Sequence, residues 1–256
     1  MQNTDNIREI LDELGKIILT FPSDDIEIIN EENDNLKTNI DQIAHNHIID
    51  KLRAVNSLPI ISEEDSISIL GPRPDKYWII DPIDGTRSLL NGYHTYVSQV
   101  ALIENQTPIL SVVYEPALNN FYHCIKGQGA YKNDVLLGAN LVDRPKTIID
   151  NYPVPIPFIR NLIEKTSLDT YLECGSIALK MCRVADQGAD VFVKRTRVFD
   201  WDIAPATLII QEMGGVVQTL SGSQILFEGN MKKNDLLVSG NEAIHQYTLN
   251  KLNETK

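Results

Sequence analysis

Positive charge is scarce in this sequence. Its 256 residues carry 23 Lys and Arg against 35 Asp and Glu, a formal charge of −12. A surface of that sign repels nucleic-acid backbones and anionic membranes, so neither a nucleic-acid polymer nor a membrane is an expected partner. Cysteine is nearly absent: Cys124, Cys174 and Cys182 are odd in number, widely spaced and without a CxxC pair. That argues against a disulfide or zinc framework and fits a reducing cytoplasm. No apolar run reaches the about 18 residues of a membrane helix, and no signal-peptide pattern is present, so the expected location is the cytoplasm. With 12 Pro and 14 Gly, 43% hydrophobic and 23% charged residues, the composition is that of a soluble globular protein. The lack of cations leaves a question. An anionic substrate needs local positive charge, from a metal or from a few basic side chains.

What is present divides into two patterns. Ile7, Ile10, Leu11, Leu14, Ile17, Ile18 and Phe21 predict an amphipathic helix over 4–21, with Asn3 or Thr4 as cap. Residues 22–37 are polar and acidic and read as a mobile loop. Ile40, Ile43, Ala44, His47, Ile48 and Leu52 predict a second helix capped by Thr38, with Asp41 in its first turn. His45 and His47, two apart, do not share a helix face and read as solvent and core-edge side chains. Short strands follow at 58–62 and 77–80, then 96–103, 109–114 and 120–125 in the manner of an antiparallel meander. Gly127–Tyr131 reads as a hairpin. The four prolines of 143–157 mark a seam. Beyond it strands at 170–174, 190–193, 216–219, 224–227 and 236–239 alternate with helices at 177–185, 201–213 and 241–252, the second ended by Gly214-Gly215. The expected organisation is an α+β half, 1–142, and an α/β half, 143–256.

The chain is organised around Asp81-Pro82-Ile83-Asp84-Gly85-Thr86, led in by Tyr77-Trp78-Ile79-Ile80. Pro82 keeps Asp81 extended. Two carboxylates with the Ile83 carbonyl between them are hard oxygen ligands, suited to Mg²⁺, Mn²⁺ or Ca²⁺ rather than Zn²⁺. Asp41, Glu63, Asp84, Asp81 and Asp202 all fall at strand ends or helix starts. Asp202 alone has an ordinary use as a helix cap. Gathered together without counter-charge, these acids would force protons onto one another, and divalent cations remove that cost. Two such ions about 3.5–4 Å apart form a clamp for phosphoryl transfer. Backbone N–H groups of Gly85 and Thr86 are candidates for holding phosphate oxygens.

Four motifs, in order, give the sequence its resemblance to the Mg²⁺-dependent, lithium-sensitive inositol monophosphatase superfamily: Thr38-x-x-Asp41, Glu63-Glu64, Asp81–Thr86 and Trp201-Asp202-x-Ala204. The resemblance implies a layered α-β-α-β-α sandwich of the inositol-phosphatase and sugar-phosphatase type. It implies Glu63, Asp81, the Ile83 carbonyl and Thr86 around a first metal, and Asp81, Asp84 and Asp202 around a second. Asp41 with Thr86 then serves the attacking water, with a third, weaker ion near Asp41 and Glu63. The implied cofactor is two or three Mg²⁺, with Mn²⁺ as the alternative, and relatives suggest a homodimer. One departure falls at Asp34-Asn35-Leu36-Lys37, where the family has Ser-Pro-Val.

Substrate choice turns on a second departure. Inositol phosphatases of this resemblance carry a glutamate seven residues before the Trp-Asp aspartate, and here that residue is Arg195 within Lys194-Arg-Thr-Arg197. A cationic segment suits a second phosphate. With Gly175, Ser176 and Lys180, which resemble the bacterial bisphosphate nucleotidases, Lys194 and Arg195 are the expected substrate-binding residues. The expected partner is a small phosphorylated metabolite, first adenosine 3',5'-bisphosphate, then inositol 1-phosphate, then fructose 1,6-bisphosphate.

Overall fold

The computed structural model describes residues 4–32, 35–139 and 141–254; Asn3 and Asp34 lie outside the described residues. Helix α1 (Thr4–Thr20) buries Ile7, Ile10, Leu11, Leu14 and Ile18 along one stripe. The segment expected as a loop contains an antiparallel ribbon, β1 (Ile28–Glu32) with β2 (Asn35–Thr38). Ile28 and Ile29 are both exposed. On β2 Leu36 is only partly buried and Thr38 is the fully buried residue, so the ribbon shows no apolar alternation that would have revealed it. Helix α2 (Asn39–Val55) starts where Thr38 N and Oγ1 donate to Asp41 at 2.8 and 2.6 Å.

Next come β3 (Ile60–Ser62), α3 (Ser66–Leu70), β4 (Lys76–Asp84), α4 (Thr86–Leu90) and β5 (Val97–Glu104). The run continues through β6 (Thr107–Glu115), β7 (Asn120–Ile125), β8 (Ala130–Lys132) and β9 (Val135–Leu136). These strands make one seven-stranded sheet in sequence order, parallel only between β3 and β4. The meander expectation holds, and β4 extends through the Asp-Pro motif rather than stopping at Ile80.

The proline-rich seam is more structured than expected. It holds β10 (Thr147–Asp150) and the first residue of α5 (Pro157–Thr166), a helix missed although Ile159, Leu162 and Thr166 are buried at helical spacing. Then follow β11 (Thr170–Glu173), α6 (Ile177–Ala185), β12 (Val191–Lys194), β13 (Val198–Phe199), α7 (Asp200–Glu212), β14 (Val216–Thr219), β15 (Lys232–Lys233), β16 (Leu236–Ser239) and α8 (Glu242–Asn253). A five-stranded sheet runs β11-β10-β12-β16-β14, and β13 and β15 form a ribbon. The strand expected at 224–227 is a single bridge, Gln218 to Gln224, whose Ile225 and Phe227 insert into the core instead. Gly214 ends α7 at φ +93°, as a left-handed cap requires.

Alternation sets the layers. Trp78, Ile80, Val100, Leu102 and Val112 pack with α1 and α2, while Tyr77, Ile79, Ala101, Ile103 and Val113 face the other way, onto α6 and α7. The second sheet covers those helices with Ile149, Phe192 and Val238, and turns Ile148, Val191 and Leu237 outward onto α5 and α8. The result is α-β-α-β-α, with one core cluster running from the first sheet to the second. Among the described residues no helix is long and apolar enough to cross a membrane.

Candidate active site

The parity that puts Tyr77 and Ile79 toward α7 puts Asp81 there too. Opposite Asp81 lies Gln99, whose Nε2 donates to the Asp202 carbonyl at 3.4 Å. The register then slips: Asp81 pairs with Gln99 but Asp84 with Val97, so one extra residue is bulged into β4. The Ser98 hydroxyl donates to the Pro82 carbonyl at 2.7 Å and holds the bulge. At Gly85 the backbone takes φ +105°, and a Cβ would lie 2.9 Å from the Thr95 carbonyl. Only glycine makes this turn into α4.

Asp202 comes from the first turn of α7, where its Oδ2 accepts from Phe199 N at 2.7 Å. It thus caps the helix and faces the site at once. Glu63 follows β3. Oxygens of Glu63, Asp81 and Asp202 lie within 4.8 Å of one another. Burial first, and then repulsion from neighbouring acids, push Glu63 and Asp81 well above the usual carboxylate range; burial and then the charge of Asp84 push Asp202 up to about 8. Three hard oxygen donors, no Cys or His among them and no organic cation bonded to them among the described residues, fit a divalent cation.

The other acids are satisfied differently. Asp84 Oδ2 accepts from Ser176 Oγ and Ala178 N, both at 2.7 Å, so the start of α6 meets its charge, and it stands outside the group of three. Burial nevertheless raises it. Asp41 is buried and takes 3.0 Å from Thr86 Oγ1, which also lies 3.1 Å from the Ile83 carbonyl. Burial pushes Asp41 up to about 6.

A cavity of about 990 Å³ opens over this group, and Glu63, Asp81, Ile83, Asp84, Gly85, Thr86 and Asp202 line it. Gly175 and Lys194 form part of its far wall. Arg195 does not. Its guanidinium lies 4.9 Å from the Phe158 ring centre, on the opposite side of the chain. Thr196 and Arg197 line the cavity instead; parity from Lys194 would have picked Thr196 over Arg195. Ser176 sits beneath Asp84, away from the cavity. Lys180 is fully buried too. Its Nζ donates to the Cys174 and Gly175 carbonyls at 2.9 and 3.1 Å and to Asn151 Oδ1. It fastens the ends of β10 and β11 rather than meeting substrate, and burial lowers it to about 8. Sequence reasoning passed over the aromatic wall: Tyr93, Tyr152 and Phe199 all border the cavity.

The chain is 27% identical over 225 residues to a 3'(2'),5'-bisphosphate nucleotidase CysQ of Aggregatibacter actinomycetemcomitans, covering 84% of each chain. It is 31% identical over 219 residues to a fructose-1,6-bisphosphatase/inositol-1-monophosphatase of Thermotoga maritima, covering 85% of this chain and 82% of that one. Among solved structures, an IMPase/NADP phosphatase complexed with Mg²⁺ and phosphate superposes with a TM-score of 0.83 at 23% identity, over 96% of this chain and 93% of that one. The model of the inositol monophosphatase family matches residues 5–256. With its layered fold, its facing carboxylates and this match over nearly its whole length, the chain belongs to the inositol monophosphatase family of metal-dependent phosphatases.

Proposed function

We propose that this phosphatase removes the 3'-phosphate of a bisphosphate nucleotide, adenosine 3',5'-bisphosphate giving AMP and phosphate, with Mg²⁺ as its cation. One observation carries the reading. The cavity that holds the acids is also lined by Lys194 and Arg197 and by Tyr93, Tyr152 and Phe199. A second phosphate needs cations, which a chain of charge −12 has few of, and a purine needs flat apolar faces. The CysQ relative's activity agrees with it.

In the reaction water adds to phosphorus, the ester P–O bond breaks and the departing oxygen takes up a proton. A divalent cation held by Glu63, Asp81 and Asp202 supplies Lewis acidity toward the phosphate oxygens when bound. The chain's own groups do the rest. Asp41 Oδ1 accepts a hydrogen bond from the Thr86 hydroxyl, which leaves the Thr86 oxygen as an acceptor for the attacking water. Gly85 and Thr86 offer backbone N–H groups on the cavity wall to the phosphate. Ser176 and Ala178 hold Asp84 toward the same space.

A second reading, inositol 1-phosphate as substrate, follows the T. maritima relative. Against it stand Lys194 and Arg197 in the cavity lining, cations for which a substrate with a single phosphate has less use. Phosphate release from adenosine 3',5'-bisphosphate, inositol 1-phosphate and fructose 1,6-bisphosphate, each with Mg²⁺, ranks the candidates. The bisphosphate nucleotide is expected to turn over fastest; faster release from inositol 1-phosphate reverses the order.

A further inference from the structure

Asn151 is the first residue past β10, and it lines the cavity. Its side-chain oxygen is already taken by a buried cation. Lys180 Nζ donates to Asn151 Oδ1 and to the carbonyls of Cys174 and Gly175, the last two at 2.9 and 3.1 Å. An ammonium has only donors to offer, so it selects the amide oxygen and leaves the amide nitrogen facing away. Among the described residues Asn151 Nδ2 meets no acceptor. The chain beyond it is tied as well, since the Tyr171 hydroxyl donates to the Tyr152 carbonyl at 2.6 Å.

Register gives Asn151 its neighbour. β10 and β12 run parallel with Ile149 paired to Phe192, and two residues further along each strand stand Asn151 and Lys194. Ile149 and Phe192 face α6, so by alternation Asn151 and Lys194 lie on that side too. Lys180 Nζ confirms the side, 5.3 Å from the Phe192 ring centre. After β10 the chain leaves for α5 on one face of the sheet, and after β12 it leaves for α7 on the other. Strands that part in this way open a crevice at their carboxyl ends, where ligands of such sheets bind. We propose that Asn151 is a specificity-determining residue that donates from Nδ2, beside the Lys194 ammonium, to the second, non-reacting phosphate of the substrate. Lys180 is its positioning residue, setting which end of the amide faces the cavity. A carboxylate would serve Lys180 equally well as an acceptor, but it would repel a phosphate and offset Lys194. The inference rests on the bisphosphate reading and places that substrate's 5'-phosphate in the crevice.

Steady-state kinetics with adenosine 3',5'-bisphosphate and with adenosine 3'-phosphate, which lacks the 5' group, test it. The wild type is expected to show the lower KM for the bisphosphate. Asn151→Asp keeps the shape and the acceptor for Lys180 but loses the donor, and Asn151→Ala loses both without adding charge. Each is expected to raise KM for the bisphosphate about tenfold, the worth of one charge-assisted hydrogen bond, with kcat and the KM for the monophosphate unchanged. An unchanged bisphosphate KM, an equal rise for both substrates, or an effect confined to Asn151→Asp overturns the role of Asn151 and leaves the bisphosphate reading standing. A wild type with no preference between the two nucleotides overturns both.

Discussion

Six acids gather at this end of the sheets, and they differ in how each charge is met. Asp84 faces a helix start, Asp41 two threonines and Glu64 a lysine, while Asp81 and Asp202 each take one backbone N–H and otherwise face one another and Glu63. That division was half legible. Asp81–Thr86, Thr38-x-x-Asp41 and Trp201-Asp202 are local patterns whose turns and caps follow from neighbours in sequence. Lys37 and Lys180 reach partners far off in sequence, Glu64 and Asn151, and charge alone does not say which way a lysine or arginine points. Arg195 shows the cost of guessing. Exchanging Arg197 for Ser is expected to raise KM for adenosine 3',5'-bisphosphate about tenfold, the worth of one charge-assisted hydrogen bond. Arg195→Ser is expected to leave it unchanged, because that guanidinium rests on Phe158. Steady-state kinetics decide between them, and an equal effect from both substitutions removes Arg197 from the substrate's path.

Among elements, α6 does the most with the least surface. Its first turn grips Asp84, and one turn later Lys180 ties it to the ends of β10 and β11. Three carbonyl-type acceptors around one buried ammonium leave no donor idle. Lys180→Met keeps the length and removes the charge, orphaning all three acceptors. A loss of about 3 kcal/mol in urea unfolding is expected, at about 1 kcal/mol per stranded acceptor. A loss below 0.5 kcal/mol, as for an ordinary surface change, shows that the ammonium carries no such role. Elements with a buried stripe were readable from the sequence: α1, α2, α7 and the meander. The β1–β2 ribbon lacks an apolar face, and the prolines around β10 masked a strand that is nonetheless buried from Ile148 to Asp150. The 224–227 segment shows the converse error, since apolar alternation there serves packing without a partner strand.

For the whole molecule, the three facing carboxylates make stability and cation binding depend on pH together. Asp202 titrates near 3.8 when unfolded and at about 8 in the metal-free fold. Below about pH 4 both states hold the proton. Between the two values only the folded state does, so metal-free stability falls as pH rises through this window. Glu63 and Asp81 act in the same direction. A divalent cation must displace those protons, so its stabilising effect grows with pH. Thermal melts with and without Mg²⁺ are expected to show a larger gain in Tm at pH 8 than at pH 6. A gain independent of pH means that the cation binds away from these acids.

The order in which the layers arrive along the chain has its own consequence. The seven-stranded sheet is complete at Leu136, yet the helix carrying Asp202 and covering Tyr77, Ile79 and Val113 begins only at Asp200. The apolar face of that sheet is covered only by later chain, α6 and then α7. Reactivity and solubility are thus completed by one late stretch of chain.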